Sequence, residues 1–483
     1  MAIVFVDTAA HAAPRPSAAA ARSDSPRHSR VRLADRRDPS LETLATDAAG
    51  LPPELAADAL IRIASSARVT DRSWRRELLD EAFIKAYGAA DAYRRAAPQT
   101  IPLDTRQGTQ QLAYAMSLNR VSLQVRAAQL MAFTDPARAR ELFEWIDLDV
   151  NAAPCEELLV PAVDEYYGAL SLLARTTFGD DRAEALRFLE LFLWRARLPS
   201  EMPAVARAMQ RFAPRPAEAA YLESLFGFLL ETGASDARGF STSALDIVTR
   251  TADLQVADGT VGPRGIRLQE TLRAYLILQM KGPRCADSVT ESMTPASFNA
   301  ARHRVGVDDD VQPIDGGTLW PSKVLGTARL DRYWQLPEAK RLHETGLWLR
   351  GPDKEPLPLK TRQTVEWRND AERFLTDIDQ WTGSREPSAR DFFCQKSLLF
   401  IGLLELMPSS TVRSRAVRSF VDFLRHEDDD RQRQALWFAF LNRLLEMAHG
   451  NDRADILTAL ENAHHPTLSV YARLERLVPV GRR

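Results

Sequence analysis

Asp308, Asp309 and Asp310 form the most suggestive acidic cluster in the chain, and adjacent carboxylates on a loop are the groups that hold a hard cation such as calcium. A calcium loop alternates its ligands and closes on a glutamate, and neither feature is present. A solvated acidic loop is therefore the expectation. A second triplet, Asp428 to Asp430, stands just before a helical pattern and is explained by capping and dipole complementarity. His464-His465 precedes Pro466 without the HExxH spacing that a helical zinc site requires. His303 lies in Ala301-Arg302-His303-Arg304, a basic patch able to receive an anion, but a solvated helix face is the expectation. Glu156-Glu157 and Asp164-Glu165 are carboxylate pairs of the type used in glycoside chemistry, but nothing in the sequence sets their separation. Cys285, flanked by Arg284 and Asp287, would be a nucleophile if the arginine lowered its thiol pKa and a base stood nearby. No partner histidine is recognisable, so a structural cysteine is expected. These residues assign no catalytic group, no cofactor and no metal ligand.

The remaining signatures point away from familiar enzyme classes. The chain has no GxxxxGK[ST] loop, no GxGxxG following a strand, no GxSxG elbow and no kinase motif set. With 65 acidic against 63 basic side chains, no global field draws in a nucleic acid or an anionic membrane. Only three cysteines occur, Cys155, Cys285 and Cys394, too few and too widely spaced for a zinc ribbon or a disulfide-dense scaffold. In an exported protein one pair could bridge and leave the third free. Leu398 to Met407, the longest apolar candidate, contains Glu405 and is too short to cross a bilayer.

Helices must position whatever function there is. Pro52 and Pro53 set a first helical turn, and Leu55, Ala59 and Ile63 follow at four-residue spacing. Thr70-Asp71 caps a second helix in which Trp74, Leu78, Ala82 and Ala86 repeat at the same interval. The pattern returns along the chain: Gln107 to Phe133, bent near Ser117 to Asn119, then Asp135 to Ile146, Pro161 to Thr177, Arg182 to Arg195, Met202 to Phe212, Pro216 to Leu230 and Ile266 to Lys281. After Lys360 it resumes with Gln363 to Trp381, Ser388 to Met407, Thr411 to His426, Asp430 to His449, Arg453 to Ala463 and Pro466 to Leu477. Paired in order, these give hairpins of about 40 residues, the length of two-helix solenoid repeats. The expected fold class is all-α, stacked helical hairpins resembling an α-solenoid. The division expected is a tail over residues 1–38, a helical array over 39–281, an irregular Gly/Pro-rich joint over 282–359 with a helix near Pro337 to Leu349, and a second array over 360–483. The joint holds Trp320, Trp334 and Trp348, so part of it should pack. A non-repeating helical domain is the alternative.

The segment Leu51 to Arg95, with Leu-Pro-Pro-Glu-Leu-Ala-Ala-Asp-Ala-Leu-Ile-Arg-Ile-Ala and Trp74-Arg75-Arg76-Glu77-Leu78-Leu79-Asp80-Glu81-Ala82-Phe83, resembles the opening of large helical proteins of soil bacteria such as Acidobacteria, a group without an established activity. The resemblance implies no catalytic residue. Leu123 to Ile146 is similar in texture to tetratricopeptide and HEAT-like hairpins, without their consensus positions. At the N-terminus, Ala2 to Val6 is apolar and Ala10-His11-Ala12 has the small-x-small form of a secretory cleavage site, but a positive n-region is missing. Two locations follow: export, with a start upstream of Met1, or the cytoplasm, with a flexible tail. The expected function is a non-enzymatic binding or scaffold protein holding a protein or peptide partner. The alternative is an enzyme of unfamiliar all-helical type, with its site at the 282–359 joint.

Overall fold

Side-chain caps start nine of the described helices. Asp38, Asp71, Thr105, Asn119, Asp135, Asp181, Thr364, Ser388 and Ser410 each accept a hydrogen bond from a first-turn backbone N–H, satisfying donors that a helix cannot pair internally. The computed structural model describes residues 37–89, 94–95, 102–148, 159–160, 163–196, 201–212, 215–234, 270–271, 273–278, 281, 285–286, 295–304, 306–313, 315, 320–321, 332–351, 356–386, 388–427, 434–447 and 452–478. These residues are all-helical apart from two minimal ladders, Arg94–Arg95 (β1) antiparallel to Leu159–Val160 (β2), and Cys285–Ala286 (β3) parallel to Trp320–Pro321 (β4).

In the first half of the chain, α1 (Pro39–Ala49) packs on α2 (Pro53–Ser65), and α2 pairs with α3 (Arg72–Ala86). Both α2 and α3 contact α5 (Arg120–Met131), which pairs with α6 (Pro136–Glu144). Next come α7 (Val163–Thr176) against α5 and α6, α8 (Arg182–Leu193) and α9 (Met202–Arg211) against α7, and α10 (Pro216–Ala234) against α9. The bend expected near Ser117 to Asn119 is present: Ser117 adopts a left-handed φ of 55°, and Asn119 caps α5.

The second half begins with α11 (Pro295–Arg304) and α12 (Pro337–Arg350). The latter contacts α14 (Val365–Gln380), which follows the single turn α13 (Leu359–Arg362), and α15 (Ala389–Leu406). Further along, α16 (Thr411–His426) packs on α14 and α15, and α17 (Gln434–Glu446) on α15. The hairpin of α18 (Asp452–Asn462) and α19 (Pro466–Leu477) follows, with α18 against α16 and α17. Among the described residues three helices are additions to the sequence expectation: α1, rich in Ala and Thr, α11, inside the 282–359 stretch, and the single turn α13.

The last helix does not end in solvent. It seats against α1 and α2, more than 400 residues earlier in the chain. Tyr471 is fully buried there, its hydroxyl 3.1 Å from both the Leu55 carbonyl oxygen and Asp58 Oδ2. Asp58 also accepts from Arg126 Nη2 of α5 at 2.7 Å, so one buried carboxylate ties α2, α5 and α19 together. Arg62 pairs with Glu475 and lies over the Tyr471 ring at 5.7 Å, and Arg473 reaches Asp47 of α1 at 2.7 Å. Helix α2 is consequently buried on both sides: Glu54 and Asp58, polar by type, lie within the protein.

A second long-range tie comes from α4 (Arg106–Ala115), which packs on α17. Arg106 grips Asp391 at the start of α15 through Nε and Nη2, at 3.0 and 2.8 Å. The Thr109 hydroxyl meets the Tyr333 hydroxyl at 2.5 Å, and Gln395 Nε2 donates to the Tyr333 carbonyl oxygen at 2.9 Å. A Cβ on Gly108 would sit 2.0 Å from the Pro102 carbonyl oxygen, so only glycine lets this turn close.

Asp58→Ala removes the acceptor shared by Arg126 and Tyr471. The expected loss is about 2–3 kcal/mol, below the roughly 3–5 of a fully buried pair because the Arg126 side chain stays 31% exposed. Tyr471→Phe, which keeps the ring, should cost about 1 kcal/mol. Urea unfolding monitored by circular dichroism measures both; equal and negligible losses would remove this network from the account of the fold.

Candidate functional site

The second helices of successive pairs end in aromatic residues. Tyr87, Trp145 and Trp194 are the C-cap residues of α3, α6 and α8, and their side chains are 49%, 52% and 38% exposed. One buried ring, Phe83, sets the first two, and the third stands against the half-exposed Phe228. Phe83 packs edge-on against Tyr87 at 5.7 Å and tilts against Trp145 at 6.4 Å, while the Tyr87 hydroxyl donates to the Trp145 carbonyl oxygen at 3.4 Å. Phe143 and Phe192 meet at 5.0 Å and link α6 to α8. Trp194 donates through Nε1 to Glu190 at 3.0 Å and stands 4.9 Å from Phe228 of α10. The Arg138 guanidinium covers the Trp145 ring at 4.8 Å. Exposed Ile84, Leu191 and Tyr221 extend the row, and burial together with the neighbouring Glu190 carboxylate pushes the Tyr221 phenol up to about 12. An apolar edge thus runs from α3 through α6 and α8 to α10.

Sequence reasoning missed this edge, although a signal exists. Phe143-Glu144-Trp145 and Phe192-Leu193-Trp194 repeat one pattern, buried Phe and exposed Trp, each at the end of a helix capped by aspartate. A search for four-residue apolar spacing passes over it, because the tryptophan falls off the buried stripe.

Two clefts adjoin α12. The larger, about 980 Å³, is an open groove lined from α12, α14 and α16, with Trp348 on one wall and Asn369, Asp370, Arg373 and Asp377 on another. The smaller, about 220 Å³, lies between α12, α14 and α15 and is lined mainly by Leu347, Phe374, Leu398 and Leu403. His343 stacks on Trp334 at its margin, ring centroids 4.4 Å apart, and Glu405 holds Arg350 and Arg443 at 3.2 and 3.1 Å.

Of the residues singled out from the sequence, the structure brings His303 and Asp308 together. Asp308 pairs with Arg302 at 3.1 Å and with His303 Nδ1 at 3.0 Å, Asp310 pairs with Arg273 at 2.9 Å, and the His303 side chain is 85% exposed. Asp164 pairs with Arg207, whereas Glu165 accepts from Ser122. His464 occupies a left-handed φ of 52° in the turn before α19, and His465 precedes the first turn of that helix. Cys285 lies in β3, and its side chain is outside the described residues, as are Cys155, Glu156, Glu157 and Asp428 to Asp430. Cys394 is a free thiol buried on α15 beside Tyr333, and burial raises its pKa, the opposite of activation. Among the described residues no group of three or more His, Cys, Asp or Glu side chains gathers as a metal site, and no helix is long and apolar enough to cross a membrane.

No protein-family model matches the chain, and no curated protein matches it either.

Glu386 accepts from Gln395 Nε2 at 3.2 Å, and burial followed by the nearby Asp391 and Glu338 charges raises its pKa. A carboxyl whose folded pKa is raised contributes its stability fully below the unfolded value and loses it as pH rises through the folded value. Glu386→Gln should therefore match the native chain in acid and gain on it by less than about 1 kcal/mol toward neutrality. Urea midpoints between about pH 3.5 and 7 test this; a variant weakened at neutral pH would show that the charge is favourable where it sits.

Proposed function

We propose that this chain is a non-enzymatic binding or scaffold protein, whose helical hairpins stack in the manner of an α-solenoid and hold a protein or peptide partner along the aromatic edge of α3, α6, α8 and α10. One observation supports the reading: the half-exposed Tyr87, Trp145 and Trp194 stand at equivalent helix ends, the first two against the buried Phe83 ring and the third against the half-exposed Phe228 ring. Aromatic side chains lose little conformational entropy on binding and dominate protein interfaces, above all where neighbouring groups already hold them in place. A contiguous apolar row of this kind on a monomer's surface marks an interaction site more often than chance exposure. Arg138 over Trp145 and Arg195 over Phe192 supply the polar surround that such interfaces carry around their apolar centre.

The edge is tested by placing a photocrosslinking amino acid at Ile84 or Leu191, with Lys340 of α12 as the distant control. A discrete adduct is expected from the first two positions only, and excess unlabelled protein should compete it away. Trp145→Ala with Trp194→Ala should lose that competition by roughly thirtyfold or more, the loss of one interface hot spot. Equal adducts at Lys340, or undiminished competition by the double variant, would move the partner off this edge.

A further inference from the structure

The aromatic edge leaves the groove between α12, α14 and α16 unexplained. We infer that this groove is a binding site for a neutral oligosaccharide, with Trp348 as the platform for one sugar ring.

Trp348 sits in the last turn of α12 and is 65% exposed, yet its helix is held firmly. Leu349 beside it is fully buried, and its carbonyl oxygen accepts from Trp367 Nε1 at 3.2 Å. Gly346, one half-turn earlier, lets α12 approach α14 so closely that a Cβ there would lie 3.2 Å from the Phe374 ring. A large flat side chain exposed at the wall of a groove, on a helix that is itself held in place, offers stacking surface to a ligand. The C–H face of a pyranose ring matches that surface.

The opposite wall supplies hydrogen bonds of both kinds. Asn369, Arg373 and Asp377 recur at four-residue intervals, so they form a row along one face of α14. The exposed Asn369 amide makes no hydrogen bond among the described residues, leaving a donor and an acceptor for a ligand. Asp370 and Glu372 add acceptors, and Arg415 from α16 adds donors. Hydroxyl groups, which donate and accept, suit such a mixed wall better than groups limited to one role.

Charge selects among polar ligands. Every carboxylate lining the groove is already matched: Asp370 with Arg373, Glu372 with Arg415 at 3.1 Å, Asp377 with Arg341 at 3.2 Å. The groove therefore presents no unpaired carboxylate to draw a cation, and a neutral polyol can hydrogen-bond to the outside of the pairs without disturbing them. At about 980 Å³ the groove is near the top of the range for ligand clefts, room for several linked rings.

The experiment is calorimetric titration of the full chain with neutral cello-, malto-, xylo- and chito-oligosaccharides, against oligogalacturonate, chitosan oligomers and an arginine-rich peptide. At least one neutral oligomer should bind with a millimolar or tighter dissociation constant and exceed its charged counterparts. Trp348→Ala should weaken it by about tenfold or more and Trp348→Phe by less, with thermal midpoints unchanged because the side chain is exposed. Absence of binding across all four neutral series, tighter binding of a charged oligomer or the peptide, or full affinity in folded Trp348→Ala would each overturn the assignment. Crosslinking from Ile84 or Leu191 is independent of these outcomes.

Discussion

The Tyr471 side chain is wholly buried, and its hydroxyl needs an acceptor that α19 cannot provide. Leu55 and Asp58 of α2 provide it, and Asp58 in turn needs Arg126 of α5 to balance its charge away from water. Three helices from opposite ends of the chain are thus bound to one register, because a shift of α2 by a single residue would rotate Asp58 out of reach of both partners. In space, then, α19 leads directly into α1 and α2, and the helices of the second half lie beside those of the first instead of beyond them.

The second tie has the same logic at another place. Arg106, Thr109 and Tyr333 join α4 to α15, and the segment before α12 is clamped between them. Lys396 nearby is a buried cation on α15. Its ammonium donates to the Trp381 and Asp379 carbonyl oxygens between the Phe392 and Phe423 rings, and burial lowers its pKa. Burial of such groups is tolerated only where every donor is met, which makes the joint specific as well as strong.

Local structure was legible because its causes are local. The Asp135-Pro136 start of α6, the apolar spacing of α2 and α3 and the bend at Ser117 to Asn119 each follow from residues within one or two turns. Helix α1 escaped because Ala45 and Ala48 contribute little apolar signal, although beside Leu41 and Leu44 they bury completely or nearly so once α19 arrives. Asp58 and Asp391 read as ordinary solvent-facing acids of amphipathic helices; their partners Tyr471 and Arg106 are 413 and 285 residues away, and no periodicity encodes a pairing over that distance. The aromatic edge was half legible, as the repeated Phe-x-Trp, but the groove was not. Trp348 and the Asn369 to Asp377 face belong to different helices whose approach depends on Gly346.

Closure of this kind bears directly on how the surfaces work. A row of aromatic side chains binds tightly only if association does not first have to order it, since each mobile rotamer-rich side chain costs about 0.5–1.5 kcal/mol to immobilise. The buried Phe83 ring holds Tyr87 and Trp145, but the helices must themselves be held. For α3 that support passes through α2 and α5, the two helices joined by Asp58. For Trp348 it passes through α14 and α15, the second of which is anchored by Arg106. Each surface therefore stands on one of the two long-range ties. Loosening a tie would free the helices on its own side before the chain as a whole unfolds, because the helices nearest the lost contact gain freedom first.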